Sequence, residues 1–349
     1  MIDNNASVLL IYTGGTIGMM ENPETGVLES FDFKHLKVNV PELKRFKFTI
    51  DTIQFDPPID SSDMEPFNWK KLVRIIQDHY EKYDGFVILH GTDTMAYTAS
   101  VLSFMLENLN KPVILTGSQL PIGKMRTDGK ENLITALEIA VDKDNMGKAI
   151  VPEVCIFFQN QLMRGNRTTK VNAENFEAFH SFNYPLLAES GVHIKYEQHL
   201  IYYQPHRKPV RFHYLLDNNV AILKLFPGIS QDAVNAIFNI PNLKGVILET
   251  YGTGNAPGQE WFLRTVRNAV DKDIIVVNVT QCLSGTVDMD RYHSGQILSE
   301  IGVISGYDIT TEAAVTKLMF LLGHKMSVKE VKDHMQCSLI GEMTIPESI

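Results

Sequence analysis

The stretch Ser7-Val-Leu-Leu-Ile-Tyr-Thr-Gly-Gly-Thr-Ile-Gly18 decides how the first part of the chain folds. A short apolar run that stops at glycines is typical of a buried β-strand followed by a sharp turn. Because glycine accepts positive φ and close backbone contact, we expect Thr16 to be presented just beyond the strand. A second stretch, Gly85-Phe-Val-Ile-Leu-His-Gly-Thr-Asp-Thr94, has the same plan and presents Thr92 and Asp93.

Alternation of such strands with helical patterns predicts an α/β fold whose N-terminal domain has a mostly parallel, doubly wound sheet. The carboxyl ends of parallel strands face one crevice, where ligands bind. We therefore expect Thr16 and Thr92 to be neighbours in space. Since 349 residues exceed one ordinary core, we expect an N-terminal catalytic domain at 1–200, a linker at 201–218 and a smaller C-terminal α/β domain at 219–349.

Local signals give the first expectations about individual elements. Turn signals at Asn22-Pro23 and Thr25-Gly26 predict an irregular, lid-like segment from Thr16 to Ser30. Asp63 is expected to cap the helix that follows it. Apolar runs predict further buried strands at 47–55, 111–117 and 153–158, and helical patterns predict helices at 129–141, 311–322 and 328–335.

The composition excludes several classes of protein. A formal charge of −9 argues against nucleic-acid and anionic-membrane partners. The polar N-terminus predicts no secretory signal, and no apolar run reaches the length of a membrane span. The three cysteines, Cys155, Cys282 and Cys337, are few and odd in number, which predicts reduced thiols in the cytoplasm, each a small buried side chain.

Neutral hydroxyls and a few carboxylates follow the predicted strands, and this set suits a small zwitterion. The members are Thr16, Asp60, Ser61, Ser62, Thr92, Asp93 and Ser118. Gly14-Gly15-Thr16 matches neither phosphate-binding fingerprint. His90 has no partner at metal-ligand spacing, so we interpret it as a hydrogen-bonded histidine at a strand end. The sequence thus predicts neither a metal nor a cofactor.

A threonine can act as a nucleophile if a base accepts its proton and donors stabilise the oxyanion. Lys170 lies just past a predicted strand end, and Asp93 could orient such a lysine. From spacing alone this threonine, lysine and aspartate set is weak. The alternative reading, a threonine that only forms a turn or caps a helix, stays open at this point.

The segments along the chain resemble the bacterial type I cytoplasmic L-asparaginases. The matching segments, in the family's order, are Tyr12-Thr-Gly-Gly-Thr-Ile-Gly18, Asp60-Ser-Ser-Asp-Met64, Gly85 to Tyr97, Leu115-Thr-Gly-Ser-Gln119, Arg164-Gly-Asn-Arg-Thr-Thr-Lys170, Tyr251-Gly-Thr-Gly-Asn-Ala-Pro257 and Asn278-Val-Thr-Gln-Cys282. They span nearly the whole chain. Together they are highly specific, although no single segment would be.

This resemblance implies roles for individual residues. Thr16 would attack the side-chain amide of L-asparagine, and Thr92 would position the water, with Asp93 and Lys170 as its proton relay. The α-amino and α-carboxylate groups would be held by Asp60, Ser61 and Ser62, and Thr92, Asp93 and Ser118 would also bind the substrate. Asn255 would approach a neighbouring subunit's site, which implies a homodimer or homotetramer.

Two departures from the family pattern affect these roles. Family members usually carry a lid tyrosine that helps to activate the nucleophile, but Met19–Ser30 contains none, and Val27 falls near its place. Some type I enzymes bind a second asparagine in the C-terminal domain through an arginine and a Thr-Gln-Cys turn. Here Thr280, Gln281 and Cys282 are kept, while Glu249 replaces the arginine. This possible allosteric site is therefore expected to respond weakly or not at all, because an acid repels a carboxylate.

Three other readings remain beside asparagine hydrolysis. An amidase subunit that supplies ammonia for transfer-RNA amidation would need an extra N-terminal domain, for which Met1 to Ser7 gives no room. A glutaminase-leaning enzyme differs by one methylene, worth only about 1–3 kcal/mol of selectivity. A catalytically weak asparagine-binding regulator is the reading from a different class, and the missing lid tyrosine favours it.

Overall fold

The computed structural model describes residues 6–21, 28–30, 40–203 and 208–346. The chain divides into two compact units, Met1–Tyr214 and Leu215–Ile349. The helices are α1 Pro66–His79, α2 Met95–Met105, α3 Gly129–Val141, α4 Gln231–Phe238, α5 Glu260–Val270, α6 His293–Ile301, α7 Thr311–Gly323 and α8 Val328–Met335. The strands of the first unit are β1 Ser7–Tyr12, β2 Met19–Glu21, β3 Leu28–Ser30, β4 Thr49–Gln54, β5 Gly85–Leu89, β6 Leu106–Glu107, β7 Val113–Thr116, β8 Val154–Phe158, β9 Gln161–Arg164, β10 Thr169–Lys170, β11 Phe179–His180, β12 Ala188–Ser190, β13 Ile194–Tyr196 and β14 Arg211–Phe212. Those of the second unit are β15 Val220–Lys224, β16 Gly245–Thr250, β17 Ile275–Thr280 and β18 Ile304–Ser305.

The large sheet of the first unit has the strand order β13-β12-β9-β8-β7-β5-β1-β4. Five neighbouring strands of this sheet, β4, β1, β5, β7 and β8, pair in parallel. The strands β8, β9, β12 and β13 pair antiparallel. The predicted mostly parallel sheet is confirmed. Its first strand, β1, lies inside the sheet between β4 and β5, which explains why its residues are almost all apolar.

Helices cover both faces of this sheet. Successive side chains of a strand point to opposite faces. On one face, Val87 of β5 belongs to the same apolar core as Leu133 and Leu137 of α3. On the other, Phe86 stacks on Tyr80 at the end of α1, with ring centroids 5.9 Å apart. The sheet is thus doubly wound, as the strand and helix alternation predicted.

The second unit has a smaller sheet of four parallel strands in the order β15-β16-β17-β18. Its core on one face joins β15, β16 and β17 to α4 and α5 through residues such as Val246, Val234 and Phe262. The other face is close to α7, because a Cβ added to Gly245 would meet Leu318 at 2.5 Å. The smaller C-terminal α/β domain is confirmed.

Some local expectations were wrong. Asp63 does not cap α1: the helix starts at Pro66, whose fixed φ suits the first helical position, and Glu65 forms a capping box with Asn68. The segment expected to be irregular begins with a 3₁₀ turn at Thr16–Gly18 and continues as the antiparallel ribbon of β2 and β3. The Asn22-Pro23 and Thr25-Gly26 turn signals and Val27 lie outside the described residues.

The cysteines also differ from expectation. Cys155 is buried in β8, and burial raises the pKa of its thiol well above the ordinary value. Cys282 and Cys337 are exposed, so two of the three are not the small core side chains predicted. All three are free thiols.

Candidate functional site

Two glycine-containing loops meet at the carboxyl ends of β1 and β5. The two strands end together, with Tyr12 opposite Leu89, and both the amide and the hydroxyl of Thr13 donate to the Leu89 carbonyl at 3.0 Å. Gly15 has φ 92°, and a Cβ added there would lie 2.5 Å from the Gly91 Cα. The loops touch backbone to backbone, because a side chain at position 15 would collide with Gly91 and a side chain at position 91 would collide with Ser61.

This contact places Thr16 and Thr92 one residue beyond the touching glycines. Thr16 starts the 3₁₀ turn and is partly exposed. Its hydroxyl has no hydrogen-bond partner within the described part of the chain. Thr16 does begin a turn, as the alternative reading of a turn-forming or capping threonine expects. Its side chain does not cap that turn, however, because Gly15 occupies the N-cap position.

Lys170 reaches Thr92 and Asp93 from a distant part of the chain. Its Nζ donates to Thr92 Oγ1 at 2.8 Å and to Asp93 Oδ1 at 2.7 Å. The Lys170 side chain is 17% exposed, whereas that of Asp93 is 65% exposed. The structure thus brings the three predicted side chains into one hydrogen-bonded group, with the cation mostly shielded from water.

A buried ion pair anchors the segment that carries Lys170. Arg164, the last residue of β9, pairs with Glu153 at 2.7 Å, and both are almost fully buried. Arg164 also donates to the Leu200 carbonyl at 2.8 Å. Burial raises the pKa of Glu153, although Arg164 acts in the opposite direction. Because a buried pair tolerates little displacement, it fixes the start of the short segment that ends at Lys170.

The loop after β4 carries the acidic and hydroxyl residues predicted to hold a zwitterion. Asp60 and Ser62 are exposed, and Asp60 Oδ1 accepts from the Ser62 amide at 2.9 Å and hydroxyl at 2.8 Å. These bonds lower the pKa of Asp60 and keep it ionised. Ser61 is buried against Gly91, whose added Cβ would meet the Ser61 hydroxyl oxygen at 2.5 Å. Ser61 therefore supports the Gly91 turn by packing.

Ser118 and Gln119 follow β7 at the same edge of the sheet. Ser118 is buried, and its hydroxyl donates to the Leu120 carbonyl at 2.5 Å. Gln119 accepts a hydrogen bond from Thr92 Oγ1 at 3.5 Å. Sequence reasoning missed Gln119, although it directly follows Ser118 in a matching segment. The Asp128 carboxylate holds this turn by accepting from the Gln119 amide at 3.0 Å and the Leu120 amide at 3.2 Å, and burial raises its pKa.

His90 is a hydrogen-bonded histidine at a strand end, as predicted. Its Nδ1 lies 2.7 Å from the Gly91 carbonyl, which can only accept, so Nδ1 carries the proton. Its Nε2 therefore accepts from Thr98 Oγ1 at 2.9 Å, and Thr98 accepts from Trp69 Nε1 at 2.9 Å. This chain of donors fixes the carbonyl next to Thr92. Complete burial lowers the pKa of His90 to about 4.

The lowered pKa of His90 predicts a specific loss of stability in acid. Between pH 6.5, the ordinary pKa of histidine, and about pH 4, the pKa of His90 in the folded chain, His90 is protonated in the unfolded chain and neutral in the folded chain. The stability is complete above pH 6.5 and falls as the pH drops towards 4, by about 3 kcal/mol in total. Urea unfolding of the wild type and His90→Gln is measured at pH 7 and pH 4. The free energy of unfolding should fall more between these two pH values in the wild type than in His90→Gln, and the difference is the contribution of His90. Identical dependences would contradict the prediction.

The remaining candidate residues lie in the second unit. Glu249, near the end of β16, is half-buried and accepts from Thr311 Oγ1 at 2.7 Å, with Lys224 Nζ at 3.4 Å. Gln281 donates to the backbone carbonyls of Leu225 and Glu249 at 2.7 and 2.8 Å.

The turn beside Gln281 is also internally bonded. Thr280 donates its hydroxyl proton to the Gly252 carbonyl at 2.6 Å and accepts from the amide of the exposed Cys282 at 3.0 Å. Asn255 lies in the turn after β16, where its side-chain oxygen accepts from Ser294 at 2.8 Å. The structure brings Glu249 and Gln281 together at neighbouring strand ends.

Among the described residues there is no cluster of histidine, cysteine or carboxylate side chains that could hold a metal. Within the same ranges, no helix is both long and apolar enough to cross a membrane. A cavity of about 450 Å³ lies beside Gln119, lined also by Arg126, Glu174 and Phe176.

Comparison with known proteins gives the family. A model described as "Asparaginase, N-terminal" matches residues 7–202, and one described as "Glutaminase/Asparaginase C-terminal domain" matches residues 219–335. The chain belongs to the asparaginase family. It is 44% identical to L-asparaginase 1 of Escherichia coli K12 over 340 residues, which cover 97% of this chain and 98% of the relative.

Two further relatives, one bacterial and one mammalian, also match most of this chain. The crystal structure of L-asparaginase I from Vibrio cholerae matches this asparaginase-family fold with a TM-score of 0.88 at 41% identity, covering 98% of this chain and all of that one. The 60 kDa lysophospholipase of Mus musculus is 41% identical over 97% of this chain, which spans 63% of that relative. The similarity to the bacterial proteins thus extends over both domains.

Proposed function

We propose that this protein is an L-asparaginase that hydrolyses L-asparagine to L-aspartate and ammonia. The observation that supports this most is the convergence at one sheet edge: Gly15 and Gly91 touch, and Lys170 bonds to Thr92 and Asp93. The near full-length similarity to bacterial L-asparaginases supports the choice of substrate. Neutral hydroxyls beside a few charges suit a small zwitterion better than the acyl chain of a lysophospholipid.

The proposed reaction has two halves. In the first, Thr16 Oγ attacks the side-chain amide carbon, the carbon–nitrogen bond breaks, and ammonia leaves with the proton that Thr16 gives up. The second half is hydrolysis of the resulting β-aspartyl ester. Water held by Thr92 attacks the ester, a proton returns to Thr16, and aspartate is released. Asp93 and Lys170 relay protons through Thr92, at the distances given above.

Substrate binding follows from the same edge of the sheet. Asp60 is ionised and exposed, so it would bind the α-ammonium group, with Ser62 beside it and Ser61 and Ser118 shaping the pocket. In this proposal Asn255 of a neighbouring copy completes the site, and the enzyme is a homodimer or homotetramer. We place its work in the cytoplasm, where the three free thiols would stay reduced. In this assignment residues 1–200 form the catalytic domain, with a linker at 201–218.

Ammonia release from each amide tests the function directly. Asparagine should be hydrolysed much faster than glutamine, since the pocket must reject one methylene, an effect of about 1–3 kcal/mol. A higher kcat/KM for glutamine would instead assign a glutaminase. Asparagine binding by calorimetry without turnover would assign a regulator, and fatty-acid release from a lysophospholipid would assign the activity named for the murine relative.

We further predict that asparagine does not activate the enzyme through the second unit. The Glu249 carboxylate, paired with Lys224 and Thr311, would repel the carboxylate of an effector. Initial rates against asparagine concentration should therefore give a hyperbola, both for the wild type and for Glu249→Ala. Glu260→Ala, a change at an exposed acid, is the control. A sigmoidal curve that becomes hyperbolic in Glu249→Ala alone would contradict this prediction.

A further inference from the structure

Gln119 bridges the proposed catalytic threonine to the hairpin that carries Lys170. Its side-chain Nε2 donates to the Asn175 carbonyl at 2.9 Å, and its Oε1 accepts from Thr92 Oγ1 at 3.5 Å. Asn175 lies between β10 and β11, two strands that pair antiparallel. Lys170 belongs to β10, so the bonds form a closed ring through Lys170, Thr92, Gln119 and Asn175.

The ring has only one consistent direction. The Asn175 carbonyl can only accept, so the amide nitrogen of Gln119 must face it and the amide oxygen must face Thr92. A flipped amide would place two acceptors against each other. Lys170 donates to Thr92 Oγ1 at 2.8 Å, so the single proton of Thr92 points to Gln119. One lone pair of Thr92 Oγ1 is then left to accept from a water or a substrate group.

The backbone around Gln119 is fixed independently of this ring. Its amide donates to the partly buried Asp128 carboxylate at 3.0 Å, and Asn132 on α3 donates to the Gly117 carbonyl at 3.0 Å. The side chains of Asp128 and Asn132 therefore fix the backbone of this turn without a bond to Thr92. The turn does not depend on the Gln119 side chain, whose hydrogen bonds go to Thr92 and to the Asn175 carbonyl.

We infer that Gln119 is a positioning residue that orients the Thr92 hydroxyl and couples it to the hairpin bearing Lys170. This inference rests on the proposed function, because it gives Gln119 a role through Thr92 and Lys170. An amide neither gains nor loses a proton in the working pH range. Gln119 thus holds the Thr92 hydroxyl in one orientation and leaves one lone pair of its oxygen free to accept from a water or a substrate group.

Three variants test this role in the full-length enzyme. Gln119→Met keeps the size of the side chain and removes both hydrogen bonds. We expect kcat to fall about 100-fold, the low end of a proton-transfer contribution, with KM changed less than about threefold. Gln119→Glu carries an acceptor oxygen but loses the donor to Asn175 when ionised. When protonated it regains one donor and one acceptor, so its relative activity should rise as the pH falls. Glu174→Gln, an exposed change on the same hairpin, should behave as the wild type.

The pH profile separates this role from a merely structural one. Gln119→Met should show no recovery in acid, and the melting temperatures of all variants should stay near that of the wild type. Equal kcat in Gln119→Met and wild type, or parallel pH profiles for the Met and Glu variants, would overturn the inference. The wild type and Lys170→Met are assayed alongside: no ammonia from asparagine with the wild type means that the proposed function fails, and an active Lys170→Met means that the relay role of Lys170 fails. An active wild type and an inactive Lys170→Met with fully active Gln119 variants reject the role of Gln119 alone.

Discussion

Replacing Thr16 by alanine is expected to lower the rate of asparagine hydrolysis at least about 10³-fold, as loss of a nucleophile generally does. The physical reason is that the other predicted site hydroxyls at this sheet edge are buried or already hydrogen-bonded. Ser61 and Ser118 are buried, and the Thr92 hydroxyl is bonded to both Lys170 and Gln119. Steady-state ammonia release measures the loss.

Two further variants make the Thr16 experiment specific. Thr16→Ser keeps a hydroxyl and should retain more activity than alanine, while Thr52→Ala, an exposed threonine on β4, should be fully active. Rapid quenching followed by mass measurement of the intact chain should detect an added aspartyl group in the wild type and none in Thr16→Ala. An alanine variant that keeps more than about a tenth of the rate would show that another group attacks, since so small a loss does not fit a nucleophile.

The central strands were predictable because their environment leaves little choice. β1 and β5 are buried on both faces, so apolar side chains and terminal glycines mark them without ambiguity. The antiparallel strands β9, β12 and β13 were not predicted. They are three or four residues long, and such short strands are defined by their neighbours more than by their own residues.

The candidate site was predictable to the extent that the topology brings strand ends together. Thr92, Asp93 and Lys170 meet as expected, although Lys170 lies on a short strand, β10, that no pattern indicates. Gln119 was missed because a polar residue in a turn is ordinary, and its role depends on the Asn175 carbonyl, 56 positions away. A tertiary contact of this kind has no local signal in the sequence.

Lys317 was also missed, although in its case the surrounding sequence does carry a signal. It is the one lysine in α7, a helix otherwise rich in alanine, leucine and other apolar residues. It is fully buried and pairs with the equally buried Glu342 at 2.6 Å. Burial lowers the pKa of Lys317. A lysine in such a helix predicts a buried acidic partner, but not which one.

The second large effect is therefore expected at Lys317. Lys317→Met should lower the free energy of unfolding by about 3–5 kcal/mol, because it leaves the Glu342 carboxylate buried without a counter-charge. The methionine also loses the bond that Lys317 donates to the Cys337 carbonyl at 2.5 Å. Urea unfolding followed by circular dichroism measures the change. Lys325→Met, at an exposed lysine, should stay within about 0.5 kcal/mol of the wild type.

A double variant separates the charge from the packing. Glu342 accepts from the amides of Leu339 and Ile340 at 2.8–3.0 Å, and Glu342→Gln keeps an acceptor there. Lys317→Met with Glu342→Gln should therefore recover most of the lost stability, since no buried charge is left unpaired. If the double variant is as unstable as Lys317→Met alone, the loss comes from packing and the ion pair is not its cause. If it recovers, the pair holds the segment after α8 against α7 at a desolvation cost that the neutral pair avoids.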